Sequence, residues 1–315
     1  MPNKNPNAQT HYVAALEETP VETVDRLDES QKARSTWADA WDAMRVRPTF
    51  WISSALILLI VIVALFPSLF AQVSPTQCEL GDSHDGPADG HPLGFTRQGC
   101  DIYARIIFGT QASVTVGLLA TMLVTFTGIV VGSLAGYYGG ILDAIVSRIG
   151  DIFFAVPTVL GAIVLMSVLP ERTPVTIALV LSLFAWPQIA RIMRGAVLSA
   201  RNSDYVTASV ALGVSKFRIL LRHVIPNSIA PVIVIATVSL GTFIVAEATL
   251  SFLGIGLPPD IMSWGNDIDA AKSSLRTNPQ VLLYPAAALS VTVLAFLMLG
   301  DVVRDALDPE ARARR

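Results

Sequence analysis

Long apolar runs, broken by short polar segments, dominate the chain from residue 51 onward. A membrane helix needs about 20 mainly apolar residues, and six segments meet that requirement. The first occupies 51–70 and holds no charge. A charge-free run then extends from 106 to 142, too long for one membrane helix and too short for two. Its end, Gly136-Tyr-Tyr-Gly-Gly140, is turn chemistry, so the pattern predicts a helix at about 112–136. Further spans are predicted at about 152–169, 175–190, 227–254 and 280–300, the first two of these separated by Pro170-Glu-Arg-Thr-Pro174. Pro157, Pro231, Gly241 and Pro285 fall inside spans, which membrane helices tolerate when neighbours satisfy the freed backbone groups.

Composition agrees with this pattern. The 315 residues are 52% hydrophobic and 15% charged, against about 25% charge in soluble domains. Of the 47 Asp, Glu, Lys and Arg residues, 14 lie in the first 48 positions. A soluble core as apolar as the remainder would have too little polar material to cover its surface. The expected fold class is an all-α membrane protein with six transmembrane helices. The polar head, 1–48, reads as a largely disordered tail, with a short interfacial helix around Trp37, Trp41 and Met44 acting as a juxtamembrane anchor. The first apolar run starts too late and is too long for a signal-peptide core, so it is expected to stay in the mature protein. A net charge of −3 and a pI near 5.8 give no support for a nucleic-acid partner.

With six spans and the N terminus inside, the inner segments hold 17 Lys and Arg residues and the outer ones five. That bias places both termini in the cytoplasm. The resulting map has a cytoplasmic tail at 1–48, a first transmembrane helix at 49–71 and an extracytoplasmic loop at 72–111. A core at 112–304 follows, with five transmembrane helices and a polar cytoplasmic loop at 195–226, and then a cytoplasmic tail at 305–315. Cys78 and Cys100 both fall in the outer loop, where disulfides persist. A bridge, two free thiols, or a metal site with His84 and His91 are the three readings, although the spacing matches no usual zinc pattern.

Catalytic chemistry is sparse. The chain has four lysines, none following a glycine, so no phosphate-binding P-loop is present. Neither H-E-x-x-H, C-x-x-C nor G-x-S-x-G occurs, and only four histidines exist. No catalytic residue, metal site or cofactor is expected in this chain. Glu247 falls inside the fifth span, where a carboxyl group serves either helix packing or proton or cation relay. An ion-coupled transporter using Glu247, or a membrane-embedded enzyme, are therefore the rival readings.

The polar segment from 191 to 223 carries the strongest signal. Asn202, Ser203 and Asp204 are helix N-cap material, and a helical stretch follows from Tyr205 to Leu212. Gly213 interrupts it, and a basic helical run, 215–223, precedes Pro226. Val206, Ala208, Val210, Ala211, Leu212, Val214 and Phe217 give this helix–Gly–helix element more apolar surface than a connector can bury. A docking knob for another protein and a plain connector are both compatible with the composition.

The segment Asp204-Tyr-Val-Thr-Ala-Ser-Val-Ala-Leu-Gly213, thirteen residues before Pro226, resembles the EAA loop of ABC importer permeases. Ala208, Gly213 and Pro226 match that loop; Thr207 and Ser209 depart from it. His91-Pro-Leu-Gly94 with Gly99-Cys-Asp101 is similar to a sequence that precedes the second span of DppC/OppC-type peptide permeases, with Cys100 in place of the usual Arg. Gly136-Tyr-Tyr-Gly-Gly140, Arg222-His-Val-Ile-Pro-Asn227, Glu247-Ala-Thr-Leu-Ser-Phe-Leu-Gly254, Ser263-Trp-Gly265 and the 299–309 segment also resemble that branch in order and spacing. The likeness covers about 50–309.

The resemblance implies a type I ABC importer permease fold in a prokaryotic cytoplasmic membrane. It implies an ATPase-coupling loop formed by Asp204, Tyr205, Ala208, Leu212, Gly213, Phe217 and Pro226. The implied partners are a DppB/OppB-type permease, two P-loop ATPase subunits of DppD/DppF or OppD/OppF type (separate or fused), an extracytoplasmic solute-binding protein, and membrane lipid. ATP and Mg²⁺ would be bound by the ATPases. The implied cargo is a di- or oligopeptide or a related small solute.

Overall fold

The computed structural model describes residues 36–307. Most of the N-terminal tail, 1–35, and the last eight residues lie outside the described residues, with the expectations made for them. Among the described residues the regular structure is helical, with thirteen α-helices. Five of these are long and apolar enough to cross a membrane: α2 (Pro48–Leu65), α4 (Ile102–Tyr138), α7 (Pro174–Ala200), α11 (Ala230–Phe252) and α13 (Gln280–Leu307). A sixth crossing is available if the bent pair α5 (Gly140–Ala155) and α6 (Thr158–Val168) is one span. Before α2, α1 (Thr36–Arg45) packs on α2 and α13, and its Trp41 ring meets Phe50 edge-on at 5.6 Å. α2 is followed by a single turn, α3 (Pro67–Phe70).

The spans differ from the sequence expectation in three places. α7 runs ten residues past the predicted 190, so the first residues of the loop expected at 195–226 are helical. α4 is one 37-residue helix, beginning ten residues before the predicted 112. Its start is fixed by Asp101, whose Oδ1 accepts the Ala104 N–H at 2.5 Å, and its end by Gly139 at φ 67°. A helix of that length is about 55 Å long, well beyond a hydrocarbon core of about 30 Å. The absence of charge marks what lipid tolerates; caps set where the helix stops. The span expected at 152–169 is broken instead. Pro157 has no N–H and pushes the preceding Val156 into an extended conformation (φ −102°, ψ 117°), so α5 and α6 meet at 82°.

α4 is the central post. Its closest partner is α7, against which Gly128, Gly132 and Gly136 lie in the small-xxx-small spacing that lets membrane helices approach. A Cβ on Gly132 would sit 2.3 Å from the Ala190 carbonyl oxygen, so the two backbones touch there. The main core lies between α4, α6, α7 and α11, around Val116, Ala120, Val124, Met166, Leu181, Met193 and Leu250. A second cluster joins α2, α4, α11 and α13 through Ala64, Val114, Leu240, Ile244 and Phe296. Large apolar side chains also point outward all along the spans, among them Leu58, Leu59, Met122, Phe126, Leu179 and Leu294, as expected for helices whose solvent is lipid.

Candidate functional site: the coupling element and the outer platform

The polar segment after α7 folds as a protruding element. α8 (Asp204–Ala211) starts after Ser203 and stops at Gly213. The Gly213 N–H donates to the Val210 carbonyl at 2.9 Å and the Val214 N–H to that of Ser209 at 3.1 Å. With Gly213 at φ 76°, this is the Schellman helix stop, which favours glycine because it lacks a Cβ. A short α9 (Lys216–Ile219) continues into a π-turn over Leu220–Val224 and then α10 (Ile225–Ser228). Pro226 supplies no N–H and crowds the preceding turn. The chain widens there, and the Ile225 N–H reaches back to the Leu220 carbonyl.

Side chains sort cleanly on this element. Val206, Ile219, Leu220 and Val224 are buried and tie it to the core, with Val214 packed beside them. Tyr205, Ala208, Leu212, Phe217 and Pro226 face outward, as do Asp204 and Gly213. Leu212 is 83% exposed and Phe217 58%. The structure leaves all seven residues singled out in the loop exposed, and removes Val206 and Val214 from the available apolar surface.

Three arginines, which in sequence contribute only to the charge bias, secure the root of this element. The Arg194 guanidinium forks onto Asp143 at the start of α5, with Nη2 2.6 Å from Oδ2. Arg201 Nη1 donates to the Gly136 and Tyr137 carbonyls at 3.0 and 3.3 Å, capping α4. Arg191 reaches Asp151 at 3.1 Å. The C-terminal end of α7, from which α8 departs, is thus bonded to both α4 and α5.

At the opposite end of the bundle the 72–101 segment and the 253–279 segment form a platform. Cys78 and Cys100 are joined by a disulfide. His91 Nδ1 lies 2.6 Å from Asp101 Oδ2, and His84 Nε2 lies 2.8 Å from the Ser274 hydroxyl. Arg97 donates to Ser273 at 3.1 Å and the Asn278 amide to the His84 carbonyl at 3.2 Å, stitching the two segments. The four Cys and His side chains weighed as metal ligands are not brought together as a ligand set among the described residues. Arg105, on the first turn of α4, donates through Nε and Nη2 to Asp267 Oδ1 at 2.7 and 2.6 Å. Burial pushes the Asp267 carboxyl above its ordinary range, although Arg105 pulls it down. Asp267 sits on α12 (Trp264–Ala271) and, with Arg105, lines a cavity of about 260 Å³ beside the disulfide. Glu247 is fully buried below this platform, accepting from the hydroxyls of Ser113 and Ser251. Arg105, Asp267 and the two serines were not selected from sequence; nothing in their spacing distinguishes them from ordinary helix-end residues.

Residues 128–313 match the family described as binding-protein-dependent transport system inner membrane component. The chain belongs to that family. Residues 35–87 match the N-terminal TM domain of oligopeptide transport permease C. The oligopeptide transport system permease protein OppC of Bacillus subtilis (strain 168) is 36% identical over 90% of this chain and 92% of its own length. The dipeptide transport system permease protein DppC of Alkalihalophilus pseudofirmus is 32% identical over 91% of this chain and 94% of its own. The glutathione transport system permease protein GsiD of Pectobacterium atrosepticum is 31% identical over 90% and 94% respectively. Membership makes this chain a permease subunit of an ABC importer and displaces the ion-coupled reading. Within this permease the family-like motifs sit at joints: Asp101, held by His91, caps the start of α4, Gly139 and Gly140 turn it into α5, and the 222–227 segment spans the end of the π-turn and α10.

Proposed function

We propose that this permease is the DppC/OppC-type half of the transmembrane path of a peptide importer, with both termini in the cytoplasm. The single observation that carries the coupling role is the α8–α9 element. Tyr205, Ala208, Leu212, Phe217 and Pro226 present an apolar face while the root is held by Val206, Ile219 and Leu220. Such a face lowers its free energy by entering a groove on a partner. ATP-driven closure of two ATPase subunits would pull on it, and the Arg194 and Arg201 contacts would pass the motion to α5 and α4. A loaded solute-binding protein would engage the platform at the other end, so that the two ligands bias one two-state bundle.

The break between α5 and α6 supports a partner permease on that side. Residues 154–157 are exposed, and irregular backbone at membrane depth is not tolerated against lipid. Beside it, Val156, Pro157, Leu160, Gly161, Val164 and Phe184 line an apolar groove of about 510 Å³. A DppB/OppB-type subunit across this groove would enclose the path. The cargoes that the relatives are named for (oligopeptide, dipeptide, glutathione) share a peptide backbone, which is the substrate class proposed here. The test is reconstitution of this chain with its partner permease, ATPases and receptor in proteoliposomes. Labelled dipeptide should accumulate only with ATP and receptor present. Uptake by this chain alone under an ion gradient would overturn the reading.

A further inference from the structure

Glu247 makes contacts that neither transport chemistry nor simple helix packing requires. It lies on α11, fully buried, five residues before that helix ends. Its Oε2 accepts from Ser113 of α4 at 2.9 Å and its Oε1 from Ser251 of α11 at 2.8 Å. Ser263, also fully buried, lies beside the same carboxyl group.

Each serine is turned to a second task. Ser113 Oγ accepts the Trp264 backbone N–H at 3.3 Å, and Ser251 Oγ accepts the Leu257 N–H at 3.1 Å. Ser263 caps α12 by accepting the Asn266 N–H at 3.2 Å. A hydroxyl has one proton to give. Because Glu247 takes the protons of Ser113 and Ser251, their lone pairs are left facing the backbone of the outer segment. Both carboxyl oxygens are thereby committed as acceptors, and the group sits sealed beneath Trp264 and Leu257, which are themselves buried.

We infer that Glu247 is a positioning residue for the outer segment 253–271, holding it in register on α4 and α11 through Ser113 and Ser251. The segment is set from beneath, by one carboxyl group, and carries Asn266 and Asp267 to the platform. That the platform receives the solute-binding protein rests on the function proposed above; the positioning itself does not.

The test uses the assembled transporter carrying Glu247→Leu, Glu247→Gln or Ser113→Ala. Backbone hydrogen exchange at Leu257 and Trp264 reads the positioning without any receptor. Glu247→Leu removes both acceptors, and exchange at both amides should rise about tenfold or more, the scale of one lost buried hydrogen bond. Ser113→Ala should free Trp264 and leave Leu257 protected, a split that general destabilisation would not produce. Glu247→Gln keeps one acceptor oxygen and should restore protection at one of the two amides. The receptor concentration giving half-maximal ATPase stimulation should rise in the same order, with the maximal stimulated rate less affected. Unchanged exchange in Glu247→Leu, or equal loss at both amides in Ser113→Ala, would overturn the inference. So would abolished uptake in Glu247→Gln with normal exchange, which would mark a proton carrier. Raised exchange with an unaltered receptor response would leave the positioning intact and overturn only the receptor-facing assignment.

Discussion

Replacing Gly213 separates backbone geometry from contact in the coupling element. Its φ is 76°, and a Cβ built there would meet nothing within 4 Å. Steric fit therefore contributes nothing, and the whole effect of a side chain is the cost of the left-handed conformation. For Ala that cost is about 1–2 kcal/mol; Asn pays less because its amide bonds locally in this region. A penalty of that size lowers the population of the native turn by a factor of about 5–30 relative to alternatives. The Schellman bonds from Gly213 and Val214 to Val210 and Ser209 are what the alternatives lose. Leu212, immediately before the turn, would leave the orientation that presents it. ATPase subunits titrated onto the reconstituted permease pair should bind in the order Gly213, Gly213→Asn, Gly213→Ala, with Ala weaker by up to that factor. If Ala binds as tightly as glycine, or Asn more weakly than Ala, backbone conformation is not what shapes the docking element.

Other expectations follow from the two ends of the bundle. Arg105→Met strands the Asp267 carboxyl in a buried site and should cost about 3 kcal/mol, seen as a lower thermal unfolding midpoint; Arg105→Lys should recover part of it, and an unchanged midpoint in the Met variant would refute the pairing. Cys78→Ser with Cys100→Ser opens a link spanning 22 positions and should also cost about 3 kcal/mol. A non-reduced digest of the parent protein should contain the linked peptides, and two freely alkylated thiols would refute the bond. In a background lacking both cysteines, Asp260→Cys should react with an impermeant thiol reagent on intact cells and Ser215→Cys should not; the reverse pattern would invert the proposed orientation.

The helices were legible because lipid imposes a coarse requirement, and a window of apolar residues meets it visibly. Their ends were not, since a single cap decides each. Asp101 and Gly139 set the ends of α4 four residues before the charge-free 106–142 run begins and four residues before it stops. Pro157 was visible in sequence but reads alike for a kink and a break; only the extended Val156 and the 82° turn between α5 and α6 distinguish them. The protruding α8–α9 element was readable because its pattern violates burial: too many apolar residues on a polar segment. Ser113, Ser251 and Ser263 violate nothing. Serine is at home in membrane helices and at N-caps alike, so three of them meeting one glutamate is a fact of tertiary structure only.

The uninterrupted length of α4 has a mechanical consequence. Near its C-terminal end Gly132 and Gly136 are pressed against α7 and its last carbonyls are held by Arg201; at its N-terminal end Asp101 and Arg105 hold the platform. Between Asp101 and Gly139 it runs as one unbroken α-helix without proline. Pivoted at the lower end, such a rod displaces its tip by about 1 Å for every degree of tilt. The hydrogen bonds at that tip have lengths near 2.6 Å and little tolerance for stretch. A swing of a few degrees must therefore carry the platform along as a rigid passenger or break it free. Amplification of angle into distance is built into the length of one helix.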